Sequence, residues 1–415
     1  MFTLARIHEP RDVARVLVGR PTRAEQEERR RLRREKRQAQ KSAMRARREK
    51  YKAERRERRE AKRAEERQRV LLLAQQLEYW KGMADMPMLA EPLFAIDNIE
   101  LTNRCPMKCV MCPRTNHMTR DQGNMSFEVF KRVIDQFVAV NPELARTKGA
   151  FLHHFGESLT HPHIDKFIRY AEEAGVRVKL SVNPLAMKDR VIERLIASPP
   201  SYLMVALDGH DNESFERIRG VRDAYDISVE RLHKYLKRKI EAEVPTFVEL
   251  GMIDFAKNED SLHLLEDRWQ GVPGIDSVTA KRFTAWDGSA EEINAYAPLP
   301  TSNEEARKFF PVPSCRLPWE SITITWDGSV VPCCYDYNRK VALGNLMQNT
   351  LAEIWNGEPM RKLRAEFRSN KVENPLCRQC PKLYRTIKRM QPKPGKERQV
   401  RAERIDQDVL EPAFG

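Results

Sequence analysis

The chain has 415 residues, 41% of them hydrophobic, which is enough for a catalytic domain with smaller modules and excludes a wholly disordered protein. It contains no run of about 18 apolar residues, and its N-terminus lacks the charged, apolar and small-residue succession of a secretory signal. No membrane span is therefore expected, and the protein reads as cytoplasmic. The formal charge of +14 points to a polyanion binder, but residues 20–69 hold 23 Lys and Arg against 10 Glu, or +13, and leave the remainder of the chain at +1.

In chain order, residues 1–21 form an N-terminal segment without a clear pattern. Thr22 followed by Glu25 has the spacing of a capping box, and no Gly or Pro then intervenes until Gly82. The expected element over residues 22–82 is one long basic helix, roughly 90 Å at 1.5 Å per residue. Glu49 to Arg45 and Glu54 to Lys50 and Arg58 have the spacing of ion pairs on a solvated helix. Leu32, Met44 and Tyr51 make no heptad seam, and only near Val70–Leu77 is the helix apolar enough to dock. Such a helix serves either as a charged spacer or as an arm for nucleic acid or another acidic partner through residues 20–69. With Tyr51 its only aromatic before Tyr79, it lacks a platform for stacking bases.

From residue 94 to about 290, short apolar runs alternate with amphipathic segments, the pattern of a parallel β/α domain. Strands are expected at 95–101, 150–154, 176–182, 202–207, 247–253 and 277–280. Helices are expected at 127–140, 163–174, 189–197 and 228–241. Six units are too few for the closed eight-unit barrel, so the expected fold is α/β, a partial (β/α)6 TIM-like barrel, with the site on the loops after the strands.

One such loop, after the first strand, carries Cys105, Cys109 and Cys112 in a Cys-x3-Cys-x2-Cys run. Eight cysteines in a chain of this kind suit ligation better than a disulfide framework. Three thiolates on one loop can hold three corners of a four-iron cluster and leave the fourth iron open. Structural zinc prefers four closed ligands and fits less well.

This loop resembles the cluster motif of the radical S-adenosylmethionine superfamily, and later segments resemble that family in the same order. His154-Phe155-Gly156-Glu157 is similar to the Gly-Gly-Glu segment, with Phe155 in place of the first Gly. Ser181-Val-Asn183-Pro184 stands where the family has Thr-Asn-Gly. Asp208-Gly209 and Ile218-Arg219-Gly220 are similar to its Ser-Leu-Asp-Gly and Ile-Arg-Gly segments. The resemblance implies that Cys105, Cys109 and Cys112 bind a [4Fe–4S] cluster, and that Gly156, Glu157, Ser181, Asn183, Asp208 and Arg219 contribute to the site for S-adenosylmethionine. Seen alone, each of these is an ordinary turn or surface residue. His153 and His154 are expected to be structural.

The other cysteines are Cys315, Cys333, Cys334, Cys377 and Cys380. Residues 322–326, the turn Asp327-Gly328 and residues 330–334 read as a β-hairpin, followed by Cys377-Arg-Gln-Cys380. Residues 310–385 resemble the auxiliary-cluster domain of the same superfamily called SPASM, or twitch in its shortened form. Gly344-Asn345-Leu346 and the 351–356 segment resemble its helical part. The resemblance implies a second [4Fe–4S] cluster on Cys315, Cys333, Cys377 and Cys380, with Cys334 as a spare; by spacing alone, a zinc ribbon is the alternative. A small hairpin-plus-helix domain is thus expected there, and residues 386–415 read as a flexible tail.

The resemblance further implies reductive cleavage of S-adenosylmethionine with electrons from a donor such as flavodoxin or ferredoxin, followed by hydrogen abstraction from a substrate. That substrate would be a peptide, a protein or a small carbohydrate-like molecule. A net oxidation needs a base; Asp208, Asp254 and Asp287 lie near predicted strand ends, and the sequence singles out none of them. Two other readings remain at this point: RNA- or ribosome-directed modification guided by the basic helix, and a zinc-stabilised binding protein without activity.

Overall fold

The computed structural model describes residues 23–297, 313 and 315–384, so the N-terminal segment, Thr22 of the expected capping box and the C-terminal tail lie outside the described residues. The chain divides into two compact units, one ending at Leu72 and the other beginning at Leu73.

Helix α1 (Arg23–Ala84) is continuous, as its freedom from Gly and Pro up to Gly82 requires. Every described side chain from Glu27 to Leu71 is exposed. Arg31 to Glu28, Lys52 to Glu49 and Arg56 to Glu60 pair along it at 2.8 Å. Of the apolar residues expected to dock, the described Val70 and Leu71 are exposed at 57% and 64%, and further along the helix Met83 is buried. Among the described residues no helix is long and apolar enough to cross a membrane.

The second unit is built on six parallel strands: β1 (Ala95–Ile99), β2 (Ala150–Phe151), β3 (Val178–Val182), β4 (Tyr202–Ala206), β5 (Phe247–Asp254) and β6 (Ser277–Arg282). Between them run α2 (Phe127–Val140), α3 (Ile164–Glu173), α4 (Asp189–Ala197), α5 (Asn212–Arg219), α6 (Tyr225–Glu241) and α7 (Glu259–Trp269). In α2, Ser126 accepts the Val129 N–H as N-cap, and Val129, Phe130, Val133, Ile134 and Phe137 recur at three- and four-residue spacing to form its buried face. Each of the larger of these side chains contributes about 1.5–3 kcal/mol on burial. Leu180, Val182, Leu203, Val205, Val248 and Leu250 meet the helices on one face of the sheet. The opposite face carries Lys179, Ser181, Tyr202, Met204, Glu249 and Thr279, the composition of a lined interior rather than of a core.

The hairpin β7 (Ser321–Ile324) and β8 (Ser329–Val331), joined by Asp327-Gly328, forms as its sequence predicts. It does not make a sheet of its own: β7 pairs in parallel with β1, and β9 (Gly344–Asn345) completes a nine-stranded order β6-β5-β4-β3-β2-β1-β7-β8-β9. The β1–β7 register shifts at Asp97. Helix α8 (Leu351–Trp355) begins with a Thr350–Glu353 capping box. Its Trp355 is fully buried, stacks at 4.5 Å on Phe94 and donates its indole N–H to the Glu91 carbonyl at 2.9 Å. Helix α9 (Glu358–Arg368) follows.

Candidate active site

The sheet's parallel order brings the loops after β1 to β5 to one edge, and the residues expected there from the sequence converge. The segment from Thr102 to Asn124 is clamped at its base. Asn103 donates to the Asp121 carbonyl and accepts the Gly123 N–H, both at 2.9 Å, while the Thr102 hydroxyl reaches Asn124 at 2.7 Å. Within it, Cys112 precedes a short helix at Pro113–Asn116, and the Thr115 hydroxyl donates to the Cys109 carbonyl at 3.0 Å. The indole N–H of Trp286, beyond β6, donates to the Met111 carbonyl at 2.8 Å. Burial pushes the Cys105 and Cys112 thiols up to about 12; Glu157 acts next on Cys105, and Cys109 next on Cys112.

Gly156 lies against the base of this loop at φ +108, where a Cβ would sit 2.3 Å from the Thr102 carbonyl oxygen. The next residue, Glu157, donates its N–H to the Arg104 carbonyl at 2.9 Å. Its buried carboxylate accepts the Leu159 N–H at 3.1 Å and the Asn183 N–H at 2.8 Å, tying the loops after β2 and β3 together. Burial raises its pKa to about 7, against the pull of those amides and of Arg219. Asn183 in turn donates to the Ala206 carbonyl at 3.3 Å, and Ser181 lies on β3 on the lined face.

Asp208 and Arg219 form a buried ion pair at 2.5 Å. Asp208 also accepts the Ile253 N–H at 2.7 Å and the Asn258 amide at 2.6 Å, so this carboxylate is committed to structure rather than available as a base. Arg219 extends its other terminal nitrogen to the Cys109 sulfur at 3.5 Å, and its backbone carbonyl accepts the Lys108 N–H at 3.0 Å. Burial works against the guanidinium, yet Asp208 and the Cys109 thiol hold its pKa above the ordinary value. Of the other two carboxylates considered as bases, Asp254 ends β5. Asp287 is buried, and Lys340 donates to it at 2.6 Å.

The second set also converges. Cys315, Cys377 and Cys380 lie within electrostatic reach of one another, and Cys333 of Cys334, Cys377 and Cys380; burial first, and then these neighbours, with Cys334 foremost for Cys333, raises each affected thiol. Of the other cysteines, Cys334 reaches Cys333 only. Its carbonyl meets the His154 ring at 2.8 Å, and after burial its thiol is influenced by Asp97, Lys382 and Lys281 rather than by Cys315, Cys377 or Cys380. Sequence reasoning missed Glu366 on α9, whose carboxylate takes the Asn374 side-chain amide at 2.8 Å while Asn374 caps the Cys377 N–H at 2.8 Å. It also missed the residues that join the two sets. Phe155 packs on His154 at 4.5 Å, Trp286 at 5.0 Å and Tyr337 at 5.8 Å, and Trp286 reaches Tyr335 at 6.0 Å. The departure from the family's Gly thus fills the space between the two cysteine regions.

Comparison with known proteins agrees with this geometry. Residues 99–266 match the model of the radical SAM superfamily, and residues 315–381 match that of the iron–sulfur cluster-binding SPASM domain. The AdoMet-dependent heme synthase of Methanosarcina barkeri is 26% identical over 303 residues, 64% of this chain and 83% of its own length. The subtilosin biosynthesis protein AlbA of Bacillus subtilis is 22% identical, covering 72% of this chain and 67% of that protein. The PqqA peptide cyclase of Gluconobacter oxydans is 21% identical, covering 69% and 82%. Among solved structures, Streptococcus suis SuiB bound to precursor peptide SuiA superposes with a TM-score of 0.48 at 17% identity, covering 70% of each chain. The chain belongs to the radical S-adenosylmethionine superfamily, as a member with a SPASM domain, and it is an enzyme. The first domain binds a [4Fe–4S] cluster and S-adenosylmethionine, and the second binds auxiliary iron–sulfur clusters. That family assignment replaces the reading of an inactive zinc-stabilised scaffold.

The residues present fit these groups. Three thiols on the first loop would leave a fourth position open, and Arg219, whose terminal nitrogen reaches the Cys109 sulfur, has a buried Nε–H without a hydrogen-bond partner. Structural zinc favours four closed ligands, whereas three thiolates on one loop take three corners of a four-iron cluster.

Proposed function

We propose that Cys105, Cys109 and Cys112 hold the catalytic [4Fe–4S] cluster, and that Cys315, Cys333, Cys377 and Cys380 hold one auxiliary cluster. On this reading the protein oxidises or cross-links a peptide or protein. The observation that carries the reading is the continuous chain of contacts Glu157–Asn183–Ala206–Arg219–Cys109, which draws the cysteine loop and the ends of β2, β3 and β4 into one site. When bound, the first cluster supplies the electron that cleaves S-adenosylmethionine to methionine and a 5′-deoxyadenosyl radical.

This chain's residues orient and enclose. Gly156 lets the backbone approach the cysteine loop, while Glu157 and Asn183 fix the loop edges at which Gly156 and Ser181 would help hold S-adenosylmethionine. Asp208 acts through Arg219, holding the guanidinium against Cys109. Phe155 and Trp286 exclude water between the two clusters, which protects so reactive a species from side reactions. Lys340, Ser289 and Tyr337 around Asp287 form a hydrogen-bonded path able to carry a proton away from a substrate being oxidised. A donor such as flavodoxin or ferredoxin supplies the electron.

The peptide class draws support from AlbA and the PqqA peptide cyclase, which are named for peptide products or substrates. A carboxylate-bearing cofactor precursor is the second reading. It is favoured by the heme synthase relative and by Lys179 and Lys281 at the lined face of the sheet.

Anaerobic reconstitution, reduction and chromatography for 5′-deoxyadenosine test the assignment. The native protein should form it, and Cys105→Ala, Cys109→Ala and Cys112→Ala should each reduce it to background; unchanged yields would sink the assignment. Mass spectrometry of a precursor peptide and of an iron porphyrin with free propionates then separates the two substrate classes, since only the true substrate loses hydrogen.

A further inference from the structure

Helix α1 is sided in a way its composition hides. At 3.6 residues per turn, successive positions are about 100° apart, and from Arg30 to Lys62 the positions returning to one sector about 100° wide are 30, 34, 37, 41, 44, 45, 48, 52, 55, 59 and 62. Each is Arg or Lys except Met44. Glu35, Glu49, Glu54, Glu57 and Glu60, the acids of the same stretch, all fall outside that sector. The result is a line of cations roughly 48 Å long on one face.

A helix that only needs to stay solvated and folded mixes its signs at three- and four-residue spacing. This face instead gathers one sign, and its described members are mostly without a carboxylate partner. Arg30, Arg34, Lys41, Lys52, Arg59 and Lys62 are exposed, and among the described residues Lys52 alone of these is held by a carboxylate, Glu49 at 2.8 Å. The self-repulsion of such a line is relieved by a polyanion of matching length. An anionic membrane is a poor match, because Leu32 and Met44 are too few and too scattered to make the apolar face an interfacial helix inserts. A single strand is also a poor match, since Tyr51 is the only aromatic in the stretch and bases find nothing to stack on. A nucleic-acid duplex carries one negative charge per about 1.7 Å of axis and is held through phosphates alone.

We propose that the Arg30–Lys62 face of α1 binds the phosphodiester backbone of a nucleic-acid duplex without reading its sequence. All five acids of the same stretch lie off this face, where they are mixed with Arg31, Arg33, Lys36, Arg47, Lys50, Arg56 and Arg58.

Fluorescence anisotropy of the full-length protein with labelled RNA and DNA duplexes, a single strand and phosphatidylserine vesicles tests this. Duplex affinity should fall about 10³-fold between about 50 and 200 mM salt, as expected for six or more phosphate contacts. The preferred duplex identifies the source of the phosphates. Three exchanges of neighbours, Arg34→Glu with Glu35→Arg, Arg48→Glu with Glu49→Arg, and Arg59→Glu with Glu60→Arg, keep composition and net charge while breaking the line. They should weaken duplex binding at least about tenfold and lower the salt slope by about 0.9 per lost contact, with helicity and 5′-deoxyadenosine yield unchanged. Milder variants check the same point without placing acids in the line. Arg34→Gln with Lys52→Gln should weaken binding, and Lys36→Gln with Lys50→Gln, off the line, should not. No duplex binding by the native protein, equal binding by the exchanged protein, equal losses from the two Gln pairs, or tighter binding to vesicles than to duplexes would each overturn the proposal.

Discussion

Glu100 and Arg120 form a fully enclosed two-pronged ion pair, with one prong at 2.6 Å, that links the end of β1 to the far end of the cysteine loop. The same two residues reach the auxiliary region. Arg120 donates to the Tyr337 carbonyl at 2.6 Å, and Glu100 accepts the backbone N–H groups of Phe155 and Trp326 at 3.3 Å. His154 approaches Glu100 at 3.4 Å while its other ring nitrogen meets the Cys334 carbonyl at 2.8 Å. One carboxylate therefore holds the cysteine loop, the Phe155 loop and the auxiliary hairpin in register.

Glu100→Gln should be strongly destabilising, because it leaves the Arg120 guanidinium buried without its counter-charge. The loss expected for breaking such a pair is about 3–5 kcal/mol, read from urea unfolding of the protein with its clusters in place. The pH dependence has a definite sign. Burial raises the Glu100 pKa, but His154 and Arg120 overcome this and lower it from 4.5 to about 2. Its stabilisation is complete above about pH 4.5 and fades as the pH falls toward 2. Glu100→Gln should flatten the acid limb of the stability curve in that window; an unaltered acid limb would remove Glu100 from this role.

The divergence of Cys333 and Cys334 makes a second prediction. The two are neighbours of each other, but only Cys333 feels Cys377 and Cys380, while Cys334 feels Asp97, Lys382 and Lys281. Iron analysis of the reconstituted protein should give about eight irons for two four-iron clusters. Cys333→Ala should lose about half of the iron, and Cys334→Ala should keep it; the reverse pattern would exchange their assignments.

The Cys105–Cys112 loop and the Cys377–Cys380 pair stand out in the sequence because close spacing is a local feature. The bounds of Phe127–Val140 and Asp189–Ala197 were legible for a similar reason: their apolar periodicity is clean. Helix α7 was missed because its apolar residues do not form so clear a stripe. Glu100 and Arg120 were invisible for a different reason. In a sequence a buried charge looks like a surface charge, and the partners Phe155, Trp326 and Tyr337 stand 55, 226 and 217 residues from the charge they meet. The joining of β7 to β1 likewise depends on pairing between segments more than two hundred residues apart, which turn chemistry cannot announce.

Glu157 supplies a third prediction through the geometry of its two acceptors. Each carboxylate oxygen takes one backbone N–H, from Leu159 and from Asn183, so Glu157→Gln must turn an NH2 toward one of them. A donor facing a donor costs about 1–3 kcal/mol and loosens the contact between the loops after β2 and β3. The dissociation constant for S-adenosylmethionine, measured on the reconstituted protein by equilibrium dialysis, should rise about tenfold or more, with iron content unchanged. An unaltered affinity would mean that this contact serves stability alone.

Gly220 tests how the cysteine loop is seated. It ends α5 in the left-handed region at φ +69, where a side chain costs roughly 1–2 kcal/mol in the backbone alone. A Cβ there would also sit 2.6 Å from the Lys108 carbonyl oxygen, and that contact is with backbone, which cannot swing aside. Lys108 lies between Cys105 and Cys109 and is anchored by the Arg219 carbonyl, so the strain cannot be relieved without moving the thiols or the Arg219 guanidinium beside them. Gly220→Ala should therefore lower thermal stability and reduce 5′-deoxyadenosine formation at least about tenfold, since small displacements of reacting groups are costly. The auxiliary region does not touch this contact and should retain its iron. Uniform loss of both clusters would instead mark Gly220 as a residue of general folding, and full activity would show that the loop tolerates displacement.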